Sequence, residues 1–170
     1  MPKLAANISL MFTELPFLER IGAARKAGFH AVEFLFPYEH AASEIAGRLA
    51  DNQLKNVLFN LPPGDWAAGE RGIAALPGRS DEFRRSVATA IAYAQALGTP
   101  NVHAMAGFVP AGAQRAEYRA TFIANLKYAA AQCAPHGINV LIEPINSRDM
   151  PDYFLSRQDQ AHAIRQDVGA

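Results

Sequence analysis

Val140-Leu141-Ile142-Glu143-Pro144-Ile145-Asn146 decides how the rest of this chain is read. It is an apolar run of β-forming residues that ends in a carboxylate. Pro144 halts it one residue later, because proline brings no N–H to a strand ladder. In parallel α/β proteins the residues at the carboxyl ends of strands face the ligand crevice. Glu143 is therefore the first candidate for chemistry.

Outward from that stretch the same strand-then-loop arrangement recurs. Leu4 to Phe12 reads as a first strand, Ala31 to Phe36 as a second closed by Pro37, and Val57 to Leu61 as a third stopped by Pro62-Pro63. Val102 to Met105 makes a fourth, and the opening stretch the fifth. Helical spacing fills the gaps. Phe17, Ile21 and Ala24 share one face, with Gly28 as a left-handed stop. Ile45 and Leu49 mark a short helix with Asn52 near its end. Phe83, Val87, Ile91, Ala94 and Leu97 form a stripe that ends at Gly98, with Ser80 as the expected N-cap. Tyr118, Phe122, Leu126 and Ala129 run towards Cys133, with Gly137 beyond. Ser156 is the expected cap of a last helix through Ala161, Ile164 and Val168.

Strands alternating with helices predict a parallel sheet with right-handed crossovers. No glycine-rich phosphate turn follows the first strand, which weakens a dinucleotide-binding reading. The other common parallel architecture is the eight-unit barrel of roughly 250 residues. The expectation is an α/β fold of parallel (βα) TIM-barrel type with about five of eight units present, residues 1–170 forming one domain and a sixth strand falling due near Gly169-Ala170.

Half of the residues are hydrophobic, and 16 basic side chains balance 16 acidic ones with no block of either sign. That balance argues against a nucleic-acid tail or a polybasic membrane anchor and leaves room for a small anionic substrate. The single cysteine, Cys133, rules out a disulfide within the chain and fits a reducing cytoplasm. The apolar run near the amino terminus is broken by Asn7 and Ser9, too short for a signal peptide or a membrane span. The partners expected are a small-molecule substrate and further copies of this chain, not nucleic acid or membrane.

Residues 62–79 lack periodicity and carry Pro62, Pro63, Gly64, Gly69, Gly72, Pro77 and Gly78. Loops of this length in a compact domain are usually functional or disordered. Asp65, Trp66, Glu70 and Arg71 at its centre favour an ordered lid facing a substrate.

Asn60-Leu61-Pro62, Gly64-Asp65-Trp66-Ala67-Ala68-Gly69-Glu70-Arg71-Gly72, Pro77-Gly78-Arg79 and Leu141-Ile142-Glu143-Pro144-Ile145-Asn146, with Asp149, Pro151 and Phe154-Leu155 behind, resemble hydroxypyruvate isomerases. The resemblance runs the length of the chain and places it among xylose-isomerase-like TIM barrels, beside the 2-oxo-tetronate isomerases. It implies isomerisation of a small hydroxy-oxo acid, hydroxypyruvate to tartronate semialdehyde. It also implies two proton-moving glutamates, on the fifth and eighth strands, which with an aspartate and a further polar residue hold a divalent metal. Only the first glutamate has a counterpart here, Glu143, so the ligand set for Mg²⁺ or Mn²⁺ is expected to be incomplete. Phe59 stands where relatives carry histidine, and Asp152 where they tend to have glycine. Aspartate tolerates a left-handed backbone better than most residues.

The chemistry suits these residues. Moving a carbonyl between neighbouring carbons needs a base to take a proton alpha to it and an acid to return one next door, and a carboxylate serves both steps. The alternative for Glu143 is a buried structural carboxylate paired with a cation. Arg71 is read as a fork for the substrate carboxylate or as a brace within its loop. His103 is read as a hydrogen-bond partner of substrate oxygens or as a satisfied core histidine. Glu33 is read first as one half of a structural salt bridge and otherwise as a residue that orients the site. Trp66 seals the site or anchors the loop. His136 and Cys133 receive no role. Two rival readings remain: a catalytically inactive barrel fragment that self-associates, and a sugar epimerase or endonuclease of the same barrel group. The charge balance weighs against the nuclease.

Overall fold

Five parallel strands alternate with five α-helices along residues 2–169, which this computed structural model describes. The strands are β1 (Ala6–Asn7), β2 (Ala31–Glu33), β3 (Lys55–Asn60), β4 (Asn101–His103) and β5 (Asn139–Leu141). The helices are α1 (Phe17–Lys26), α2 (Ala42–Asp51), α3 (Ser80–Leu97), α4 (Arg115–Cys133) and α5 (Gln158–Val168). Spatial order follows sequence order, β1-β2-β3-β4-β5, and every pairing is parallel. Consecutive strands lying side by side, each joined through a helix, is the progression that barrel topology requires. β1 and β5 pair on one side only among the described residues.

Register fixes which side chains share a face. Asn7 lies beside Glu33, Glu33 beside Leu58, Asn60 beside His103, and His103 beside Leu141. Alternation puts Leu58 and Asn60 on the same side, so one face of the sheet carries Asn7, Glu33, Leu58, Asn60, His103 and Leu141. The opposite face carries Ala6, Val32, Phe59, Val102 and Val140 and packs against the helices. The core lies there: Phe34, Phe59, Phe83, Phe122 and Phe154 are all fully buried. Phe59 stacks on Phe34 and meets Tyr38 edge-on. The polar residue expected at position 59 from the resemblance is thus replaced by a ring that serves the core and not the polar face.

Several boundaries differ from the sequence reading. β1 is two residues long instead of nine, and Phe12 at its far end is in a left-handed conformation (φ 60°) that no strand accepts. β5 ends at Leu141, before Glu143. Neither serine caps its helix. Arg79 and Arg157 hold the N-cap positions of α3 and α5, without a side-chain cap, and Ser80 is already inside α3. Ser156 instead donates its backbone N–H to Gln160 Oε1, 3.2 Å away. Gly28 and Gly98 do close α1 and α3 (φ 91° and 64°), and Asp152 adopts the left-handed backbone expected of it (φ 63°).

The segment 62–79 is ordered by main-chain bonds to the end of β4. Ala74 and Ala75 donate to Met105 O and Ala106 O at 3.2 and 2.8 Å, and Gly72 forms an antiparallel bridge with Ala106. Asn125 of α4 donates to Ala74 O at 2.8 Å from the helix side. The loop is a fixed wall of the sheet's carboxyl end.

Candidate active site

Polar side chains are expensive on a sheet face unless they are bonded or used, and this face gathers several of them at one end. Asn7 donates to Glu33 Oε1 at 3.0 Å. No ion pair to Glu33 occurs among the described residues, which corrects its first reading as half of a salt bridge. The reason is positional: its neighbour in register is the amide Asn7 and not a cation.

Asn60 and His103, side by side on β3 and β4, are buried and bonded to one another, with His103 Nδ1 3.2 Å from Asn60 Oδ1. Asn60 Nδ2 reaches Met105 Sδ at 3.6 Å. Burial pulls the His103 imidazole down to about 4, so it is neutral at pH 7. Its Nε2 is buried without a protein partner. The reading of His103 as a fully satisfied core histidine therefore fails at one of its two nitrogens.

Glu143 lies two residues past Leu141 in the extended run that follows β5. Val140 and Ile142 pack against the helix-side core, whereas Leu141 is 39% exposed and Glu143 is exposed. The carboxylate is therefore on the Asn60–His103 side of the sheet. It is neither buried nor ion-paired among the described residues, contrary to its reading as a buried structural pair. β5 is an edge strand, paired on one side only among the described residues. Tyr153 stands near it: burial, with the Glu143 charge adding to it, pushes this phenol up to about 12, while backbone N–H groups pull the other way. Tyr153 Oη accepts the Ala106 N–H at 2.8 Å and thereby ties the loop after β5 to the end of β4.

Arg71 is spent largely within its own loop. Its Nη1 donates to Glu70 O at 2.8 Å and Trp66 O at 3.2 Å, and its guanidinium lies 3.7 Å from the centre of the Trp66 ring. Trp66 in turn meets Phe36, beyond β2, edge-on at 4.9 Å. The bracing interpretation describes these contacts, and they hold Trp66 at the rim.

No three His, Cys, Asp or Glu side chains among the described residues stand close enough to hold a metal ion. Glu143 supplies one oxygen ligand type suited to Mg²⁺ or Mn²⁺ but has no companions here, so the residues present do not by themselves fit the metal. Asn60 and Tyr153 were not singled out by sequence. Asn60 carries a signal close to the one that selected Glu143, a polar residue at a strand end, here one residue removed from a proline. Tyr153 carries none, because its role depends on how the loop folds back.

A model of the xylose isomerase-like TIM barrel family matches residues 21–170. The chain belongs to that family. Among its barrel relatives, the 2-oxo-tetronate isomerase of Cupriavidus necator is 57% identical across all of this chain and 65% of the relative. The hydroxypyruvate isomerase of Escherichia coli is 47% identical over 99% of this chain and 66% of that protein. A crystal structure described as an AP endonuclease, family 2, from Brucella melitensis superposes with a TM-score of 0.97 at 53% identity, covering 99% of this chain and 65% of that one. This barrel-family chain thus spans about two thirds of the length of the relatives it matches. No helix among its described residues is long and apolar enough to cross a membrane.

Proposed function

We propose that this chain carries the Glu143 half of a proton-transfer site that isomerises a small hydroxy-oxo acid, hydroxypyruvate to tartronate semialdehyde. What supports the proposal is phase along the chain: Glu143, two residues past Leu141 at the end of β5, alternates onto the side of the sheet that holds Asn60 and His103. In the reaction Glu143 takes a proton from C3 of hydroxypyruvate, the C2 carbonyl becomes the enediol, and a proton is returned to C2 as the C3 hydroxyl becomes the aldehyde. Atoms and oxidation level balance within the one molecule. No step is routed through a metal. Trp66 and its Arg71 brace wall the site from water, and Arg71 Nε and Nη2 are the groups that would meet the substrate carboxylate.

A longer substrate, a 2-oxo-tetronate, is the second reading, favoured by the higher identity to the Cupriavidus necator relative. The likeness to the Brucella melitensis protein does not redirect the proposal to nucleic acid, because a net charge of zero gives no basic excess for a phosphate backbone. Parallel turnover assays on hydroxypyruvate and 2-oxo-tetronate, repeated with Glu143→Gln, test it. Loss of turnover in the variant supports the proposal; equal turnover in both proteins sinks it.

Self-association belongs to the proposal as well. Among the described residues β1 and β5 offer unpaired edges, and Leu4, Leu10 and Leu141 are exposed at 70%, 72% and 39%. An apolar groove of about 570 Å³ between α4, β5 and α5 runs along the open edge of β5, lined by Val140, Leu141 and Ile142. A molecular mass that grows with concentration, in a protein without turnover, favours the inactive-fragment reading. A cytoplasmic setting completes the proposal, in keeping with the lone buried thiol of Cys133.

A further inference from the structure

We infer that His103 reads a substrate hydroxyl, as a neutral hydrogen-bond acceptor whose tautomer is set by Asn60. The inference rests on the proposed small hydroxy-oxo acid substrate and adds which of its groups this part of the site recognises.

The amide of Asn60 sets the tautomer. Its Nδ2 can only donate, and it is directed to the weak acceptor Met105 Sδ at 3.6 Å. Its Oδ1 can only accept, and it lies 3.2 Å from His103 Nδ1. That contact is a hydrogen bond only if Nδ1 carries the proton. A neutral imidazole has a single N–H, so Nε2 holds a lone pair and accepts. Burial of the ring, 5% exposed, keeps it neutral at physiological pH.

The Nε2 lone pair is buried and meets no donor from the protein. A buried acceptor left without a partner costs stability, so its persistence calls for a use. Asn60, in register on one side, already meets Nδ1 with its Oδ1 and directs its Nδ2 to Met105; the other side chains beside the ring on this face, Leu141 in register and Met105 two residues on, cannot donate. A ligand O–H can. A carboxylate or carbonyl oxygen cannot, since it would set lone pair against lone pair. His103 therefore favours the hydroxyl end of the substrate, or the enediol formed from it, and leaves the carboxylate to another group. Hydroxypyruvate and pyruvate differ by just this hydroxyl, which makes them the probe pair. Asn60 acts through His103 and is a positioning residue.

The test uses the full chain labelled with ¹⁵N, titrated separately with hydroxypyruvate and pyruvate while the imidazole nitrogens are followed by NMR. The expected result is a protonated Nδ1 and an unprotonated Nε2 in the free protein. The Nε2 resonance should then move with hydroxypyruvate and stay put with pyruvate. His103→Phe keeps a ring of similar shape without the acceptor, and should erase a preference for hydroxypyruvate of about tenfold, the size of one neutral hydrogen bond. A protonated Nε2 in the free protein, an equal response to the two acids, or no response to either overturns the inference. A selective Nε2 response in a protein that shows no turnover leaves the inference standing and removes the isomerase reading. Turnover with equal responses does the reverse.

Discussion

Gly72 and Gly107 face one another across the seam between the Trp66 loop and the end of β4, so closely that neither position has room for a β-carbon. One built on Gly72 would strike the Met105 carbonyl, and one built on Gly107 the Gly72 carbonyl. Both also have positive φ, 107° and 100°. Gly72→Ala and Gly107→Ala are each expected to cost at least about 2 kcal/mol, since backbone strain and a clash with main chain add. Gly69 is the control. It has φ 94° but open space around it, so Gly69→Ala should cost only about 1 kcal/mol. Urea midpoints of the three variants check the ordering.

His103 gives the fold an acid limb. Its folded value of about 4 lies below the ordinary 6.5 because burial disfavours the charged ring. Below 6.5 the unfolded chain takes up a proton that the native ring refuses, so stability falls as pH drops from 6.5 towards 4 and is unaffected by this group above 6.5. The full loss is at most roughly 3 kcal/mol, from the fall of the ring from 6.5 to about 4. Denaturation at several pH values between 4 and 7 should show this slope, and His103→Phe should flatten it. An unchanged slope in the variant would assign the effect to other groups.

The brace in the loop is open to a spectroscopic check, because Trp66 is the sole tryptophan. Lysine keeps the charge of Arg71 but loses the planar face over the indole and moves the donor that Nη1 offers to two carbonyls. Arg71→Lys should shift the tryptophan emission to the red while lowering stability by no more than about 1 kcal/mol, as the site is half-exposed. An unchanged emission would mean that Phe36 alone holds the indole.

Much of this arrangement was legible in the chain, and the gaps have physical causes. The alternation of β-type runs with helical stripes was enough to order five parallel strands, because each helix buries one face and four of the five strands end at a polar residue. Strand length was overestimated wherever the carboxyl end splays into a loop. Val140 to Glu143 has the composition of a strand, but β5 loses its ladder after Leu141 because β4 has by then turned into the segment bonded to Tyr153. The serine caps failed for a different reason: Arg79 is held in place by Glu70 and Glu82, at 2.8 and 2.5 Å, so the first turn of α3 is fixed by its side chain's partners and not by a hydroxyl. Of the site, Glu143 was visible as a carboxylate ending an apolar run and His103 as a lone histidine within one. The Asn60–His103 pair was not, because it depends on the register between β3 and β4.

The central claim is that Glu143 removes a proton from carbon, and the most direct measurement is deuterium entry at C3 of hydroxypyruvate in D₂O, followed by NMR. This half-reaction reports proton abstraction whether or not isomerisation runs to completion. The chain is predicted to speed exchange above the buffer rate, and Glu143→Gln to lose that acceleration by about 100-fold or more, the usual scale for removing a positioned acid–base group. Exchange equally fast with and without the carboxylate, or no acceleration by the unaltered chain, would contradict it.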